Sequence, residues 1–175
     1  MNLYIREINK NDELELLKMY EEIINDTVKD KFEGFRIIEK IKTVSYDEIL
    51  KEIEKFKNIK PYRKDLVNQY TYVLVDDNNH IYGGISIRQE LNDILLTFGG
   101  HIGYLIRPSE RKKGYGTLML SLALKECAKF GINKVLVTCR EENIASAKVI
   151  ENNGGIYENS KEHDNKTYRR YWINI

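Results

Sequence analysis

Three consecutive cations, Arg111, Lys112 and Lys113, run directly into Gly114-Tyr115-Gly116-Thr117 at the head of a long apolar segment. Read as the entry to a helix, this is chemistry for an anion. The first backbone N–H groups of a helix have no intrahelical acceptor and carry the positive end of its dipole. Glycines let that backbone wrap a bulky group, and the cations add charge around it. The stretch therefore predicts a cradle for a phosphate or pyrophosphate. It is not a Walker loop, because Gly116 is followed by Thr117 rather than by Lys and Ser/Thr. It is not the dinucleotide fingerprint either, since Met119 stands where the third glycine would fall.

The elements that must hold this cradle can be read from pattern. Leu3 and Ile5 alternate with Tyr4 and Arg6 in a short first strand. A helix over about 11–25 would place Leu14, Leu17, Tyr20 and Ile24 on one face. A second helix opens with a capping box, Ser45 and Glu48, followed by an apolar stripe of Tyr46, Ile49, Leu50, Ile53 and Phe56. Tyr70–Val75 and Ile81–Arg88 read as strands around the turn cluster 76–79. Phe98–Arg107 reads as a glycine-rich strand leading into the cradle, where glycine admits a close ligand or backbone. The helix over 114–130 is apolar nearly all round, so it is buried on several sides. A strand over 134–139, a helix over 143–152 stopped by Gly154-Gly155, and a hairpin over 156–159 and 166–174 complete the chain.

The order β-α-α-β-β-β-α-β-α-β-β fits an α/β (α+β) fold, one mixed sheet with helices on both faces. The chain of 175 residues reads as a single domain, 1–175, with Pro61 marking an internal junction. Its 28 basic and 27 acidic side chains balance, which argues against nucleic-acid binding and against a polybasic membrane clamp. No apolar run is long enough to cross a bilayer, and the first residues do not read as a signal peptide. Cys127 and Cys139 suit neither a disulfide framework nor a zinc site; they read as buried apolar residues of a reduced, cytoplasmic protein, with no metal ligands predicted.

Arg111-Lys112-Lys113-Gly114-Tyr115-Gly116 resembles the Arg/Gln-x-x-Gly-x-Gly/Ala motif of the GNAT superfamily, the Gcn5-related N-acetyltransferases. The strand Gly103–Arg107 with Pro108 resembles the strand entering that motif. Asn143-Ile144-Ala145-Ser146, followed by Asn153-Gly154, resembles the second acetyl-CoA segment, and the element order matches over essentially the whole chain. The resemblance implies a mostly antiparallel sheet splayed in the middle, acetyl-CoA as cosubstrate, and direct acetyl transfer to a primary amine of a small molecule or peptide. It implies that backbone groups of Leu105, Ile106 and Arg107 pair with the pantetheine arm like an added strand. It also implies that the amides of Arg111, Lys112, Lys113, Gly114, Tyr115, Gly116 and Thr117 hold the pyrophosphate, and that Asn143, with Ser146 nearby, meets the arm from the far side. A homodimer is compatible with it.

Acetyl transfer needs a neutral amine, so a proton acceptor is expected. Glu90, at the end of one strand, and His101, on the next, are the two candidates. The residue matching the tyrosine that many family members use as proton donor is Ile150; Tyr104, Tyr157, Tyr168 and Tyr171 are the possible substitutes. The connection over 27–44 offers Phe32, Glu33, Phe35 and Glu39 as an acceptor wall, interspersed with Lys29, Lys31, Lys40 and Lys42. The absent tyrosine also leaves open a non-catalytic acyl-CoA-binding sensor or subunit, and the cradle itself a nucleotide-binding protein.

Overall fold

A computed structural model describes residues 2–28, 31–59 and 65–175. Lys29 and Pro61 lie outside the described residues. Seven strands form one sheet: β1 (Leu3–Glu7), β2 (Gln69–Asp76), β3 (Ile81–Arg88), β4 (Ile102–Ile106), β5 (Lys134–Arg140), β6 (Ile156–His163) and β7 (Lys166–Asn174). Their spatial order is β1-β2-β3-β4-β5-β7-β6. Every neighbouring pair is antiparallel except β4 and β5. The helices are α1 (Glu13–Ile24), α2 (Tyr46–Lys57), α3 (Asp93–Thr97), α4 (Tyr115–Lys129) and α5 (Ile144–Glu151).

Each face of the sheet has its own core. On one, Ile85, Ile87, Ile102 and Val137 pack against Met119, Leu120 and Ala123 of α4 and Ile150 of α5. On the other, Val73, Val75 and Leu105 pack against Leu16, Met19 and Ile23 of α1 and Ile49 and Ile53 of α2. The mixed sheet with helices on both faces thus matches the sequence expectation, as does burial of Cys127 and Cys139. Among the described residues, no helix is long and apolar enough to cross a membrane and no group of three His, Cys, Asp or Glu side chains could hold a metal ion.

The capping box of α2 is present: the Ser45 hydroxyl accepts from the Glu48 amide while the Glu48 carboxylate accepts from the Ser45 amide at 2.9 Å. The phase of α1 differs from the expectation. Leu14 is 65% exposed, and Leu16, Met19 and Ile23 are buried instead. The cause is Asp12. Its fully buried carboxylate takes a two-point ion pair from Arg6 on β1, at 2.7 and 2.6 Å. Residues 12, 16, 19 and 23 share one face at helical spacing, so anchoring Asp12 under the sheet turns that face inward.

The stretch before the cradle also differs. Residues 93–97 form α3, capped by the Asn92 carboxamide oxygen accepting from the Leu95 amide at 2.9 Å. Gly99 and Gly100 form a left-handed turn at φ +98 and +60, and β4 begins only at Ile102.

Candidate active site

The cradle is built as a strand, a short 3₁₀ turn over Pro108–Glu110, a loop, and the head of α4. Lys112 (φ +62) and Gly114 (φ +86) are both left-handed, which turns successive amides toward a common concavity. Gly114 is the N-cap of α4 and supplies no side-chain cap. The first helical bond runs from the Leu118 amide to the Gly114 carbonyl at 3.1 Å. Among the described residues, no backbone acceptor takes the amides of residues 112–117. A Cβ placed on Gly114 would meet nothing within 4 Å, so the concavity opens to solvent. Gly116 instead serves packing, since its Cβ would lie 3.1 Å from Val149 where α4 and α5 touch. Asn153 ties the same joint, donating to the carbonyls of Thr117 (3.2 Å) and Val149 (2.9 Å).

The cations are not equivalent. Arg111 turns back from the cradle, donating from Nε to the Ile106 carbonyl at 3.2 Å and pairing with Asp26. Lys113 pairs with Glu110 at 3.0 Å. Lys112 is exposed and has no such partner among the described residues. Arg107 is buried between two carboxylates of α1, Glu15 at 2.9 Å and Glu22 at 2.6 Å; Glu22 also accepts from the Ser109 amide at 3.0 Å. Burial alone would raise the Glu15 carboxyl, but hydrogen bonds from Lys18 and Arg107 hold it at about 2. This network clamps the loop to α1, and its donors are 85 to 92 residues from their acceptors.

β4 and β5 share a single registered pair, Ile102 with Val137, and diverge beyond it. His101 holds the vertex. Its amide donates to the Leu136 carbonyl at 2.8 Å, and its ring Nδ1 accepts the Leu136 amide at 2.9 Å. On the other edge of β4 the Arg107 amide donates to the Tyr82 carbonyl at 2.9 Å. Because amides alternate along a strand, that of Leu105 also faces β3, while those of Tyr104 and Ile106 face the gap. Of the three residues expected to pair with a ligand arm, only Ile106 is turned toward the gap; Leu105 and Arg107 spend their amides within the sheet.

Two groups meet across this gap. The Tyr104 hydroxyl lies 2.7 Å from Ser146 Oγ in the first turn of α5. Asn143, the N-cap of α5, accepts the Ser146 amide at 3.0 Å through Oδ1, which leaves its NH₂ group available. On the opposite face the connection after α1 crosses β4 in van der Waals contact. A Cβ on Gly34 would lie 2.3 Å from the Tyr104 carbonyl oxygen, and one on Gly103 would lie 2.8 Å from the Gly34 carbonyl oxygen. Only paired glycines permit that approach. Glu33 next to it points toward Arg140 at the end of β5, 3.9 Å away.

The remaining expected residues fall elsewhere. Glu90 sits exposed on the bend after β3, which ends at Arg88. His101 is buried with its Nδ1 lone pair committed; burial and the neighbouring Arg88 push its pKa down to about 4. Neither is positioned as a proton acceptor in the gap. Phe35 is core, Phe32 stacks on Tyr20 and Glu39 pairs with Arg36 at 3.7 Å, whereas Glu33 stands at the divergence. Ile150 is fully buried. The phenols of Tyr157 and Tyr171 are bound to Ser160 and Glu151, so Tyr104 is the one of these three that reaches the head of α5. The long-range partners Asp26 and Gly34 carried no local signal by which spacing could place them, and the contact of Ser146 with Tyr104 was equally unreadable.

A glycine-rich anion cradle at a helix head, beside two strands that part, defines an acyl-CoA-binding α/β domain. The chain belongs to the Acetyltransferase (GNAT) domain family, whose pattern it matches over residues 2–156. It is thus an N-acetyltransferase by family, with acetyl-CoA as cosubstrate. Among solved structures it is similar to spermidine N-acetyltransferase from Vibrio cholerae in complex with CoA and spermine. There the identity is 17% and the TM-score 0.64, over 98% of this chain and 95% of that one. It is similar also to the ribosomal-protein α-N-acetyltransferase RimL in complex with coenzyme A, at 17% identity and TM-score 0.66, over 100% and 95%. The GNAT domain of S. lividans PAT aligns at 14% identity and TM-score 0.64, over 98% and 89%. No curated protein matches the chain in sequence.

Proposed function

We propose that the protein transfers an acetyl group from acetyl-CoA to a primary amine of a small molecule or peptide, by direct attack of the amine on the thioester. The observation that carries this reading is the continuity of the site: open amides at the head of α4 lead straight into the gap between β4 and β5. Bound acetyl-CoA supplies an activated acyl group and a thiolate leaving group.

The chain's own groups divide the work. The amides of residues 112–117 and the Lys112 side chain bind the pyrophosphate, while Arg111 and Arg107 act indirectly by holding the loop to α1. The Ile106 amide points into the gap, where it can donate to the pantetheine arm or to the thioester carbonyl. The Asn143 NH₂ group faces the arm from α5. Tyr104 offers its hydroxyl to the departing sulfur. Burial pushes its pKa up, so it stays protonated at neutral pH. A thiol ionising near 8.5 would not strip a proton from such a phenol. Tyr104 therefore stabilises the thiolate by hydrogen bonding rather than by full proton transfer. The amine is deprotonated from the acceptor side, through water or Glu33.

Spermidine and peptide amines are sensible first acceptors, since relatives of this fold act on them. Thiol release from acetyl-CoA should depend on an added primary amine. Binding of CoA without amine-dependent thiol release across a broad panel would overturn the enzyme reading in favour of a binding module. Tyr104→Phe should lower kcat about 10- to 100-fold, the loss of one hydrogen bond to a charged group. The CoA dissociation constant, measured by calorimetry, should stay within about threefold. An unchanged kcat would remove Tyr104 from the mechanism.

A further inference from the structure

A second concavity lies away from the cradle, at the far end of β3. It is a cavity of about 160 Å³ walled by Phe56 of α2, Val67, Gln69 at the start of β2, Asn92, Leu95 of α3, and Arg88. Most of the wall is apolar. Arg88 stands out because it is a mostly buried cation that lacks an anion. Among the described residues its hydrogen-bond partners are two backbone carbonyls, Gly99 and Gly100, both reached from Nη1 at 3.1 Å. No carboxylate among them lies within ion-pair distance. The other interior arginines contrast sharply: Arg107 has two carboxylates, and Arg6 and Arg170 have one each. Asp65 also lines the cavity, but it is exposed.

Buried guanidinium groups are ordinarily paired, because desolvating an unpaired charge is costly. Here the cost is visible: burial alone pulls the Arg88 pKa down to about 10. His101 feels this charge, and it is neutral and brings no anion. The Nε and Nη2 donors of Arg88 form a planar fork, whose natural complement is a planar carboxylate rather than a bulky dianion. On the scale of roughly 30 Å³ per water, the cavity takes about five heavy atoms, the size of a short aliphatic carboxylate.

We propose that this cavity is a binding site for a carboxylate carried on a short apolar body, with Arg88 as its counterion and Val67 and Leu95 covering the aliphatic part. The site goes beyond acetyl transfer and stands whether or not that reaction is observed. Two sources share this chemistry: an acceptor that carries a carboxylate beside its amine, or a free carboxylate that acts on the strand end tethered by Arg88. Arg88 holds the turn at Gly99-Gly100 that leads into β4, so either would act on the strand end beside the His101 vertex.

The test uses sodium butyrate, with butan-1-ol as the uncharged control, on the full chain. At a tenfold excess over its dissociation constant, butyrate should raise the melting temperature by about 3–6 °C, and butan-1-ol should not. Arg88→Met should abolish the shift. Since that variant also loses the Gly99 and Gly100 contacts, Val67→Phe gives an independent check: it fills the cavity, leaves Arg88 in place, and should abolish the shift as well. No shift with butyrate, or an equal shift in both variants, overturns the proposal. The source is then read from kinetics. If L-2-aminobutyrate is acetylated far better than propylamine, and butyrate competes with it, the carboxylate belongs to the acceptor. If butyrate binds without competing against an amine, the ligand is a separate effector. Failure of thiol release with every amine would remove the transferase reading and leave the butyrate result standing.

Discussion

Gly114→Val should raise the dissociation constant for CoA by at least about 100-fold, measured by calorimetry, while the protein still folds. Gly114 sits at φ +86 with open space where a Cβ would go. A valine there meets no clash, so the fold suffers only the strain of a left-handed β-branched residue, about 1–2 kcal/mol. Its methyl groups, however, occupy the concavity onto which the amides converge. Losing even one or two charge-assisted hydrogen bonds, at about 1.5–3 kcal/mol each, accounts for the factor. A variant that melts a few degrees lower and binds CoA as before would show that the phosphates lie elsewhere. Arg111→Ala should behave differently, weakening binding less, because its guanidinium is spent on Asp26 and the Ile106 carbonyl.

His101→Ala should destabilise the protein by about 2–4 kcal/mol in denaturant titrations. It leaves the buried Leu136 amide without an acceptor, costing about 1–3 kcal/mol, and adds a void. His101→Asn, whose side-chain oxygen can accept the same amide, should recover part of the loss. The pH dependence is a sharper signature. The folded-state pKa of His101 is about 4, below its ordinary 6.5. The unfolded chain therefore takes up the proton first as pH falls. The contribution of His101 is fully present above about pH 6.5, declines as pH falls through 6.5 toward 4, and is gone below that. Between pH 6.5 and 5, before most carboxylates titrate, the wild type should lose stability that His101→Asn does not. Parallel slopes for the two proteins over that interval would mean that the ring is not the vertex pin.

Much of this molecule was legible in its sequence because the relevant signals are local. Ser45 and Glu48 announce α2 within four residues. The cradle is contiguous, so Gly114 and the amides around it could be placed from spacing alone. What could not be read depends on partners distant in the chain. Arg111 looks like a phosphate ligand until Asp26 is brought beside it. Arg107 looks like an arm-binding residue until strand pairing turns its amide toward Tyr82. The periodicity of α1 supports two adjacent apolar faces, and only the pairing of Asp12 with Arg6 decides between them. His101 looks like a base on account of its ordinary pKa, and burial removes that property. The place of the Tyr104 hydroxyl is set by Ser146, which a strand and a helix separate from it in the chain.

The parting of β4 from β5 has one more consequence. A strand edge with unpaired amides is usually a hazard at the rim of a sheet, where any passing chain can add to it. In this protein β4 carries such an edge in the middle of the sheet, with Gly34 lying across one face and Tyr104 reaching Ser146 on the other. A polypeptide strand with side chains on both faces finds no clearance there. The ligand proposed for it is a single amide-bearing arm rather than a chain with side chains at every residue. The edge is thus screened from foreign strands by its place inside the sheet and by the backbone crossing at Gly34.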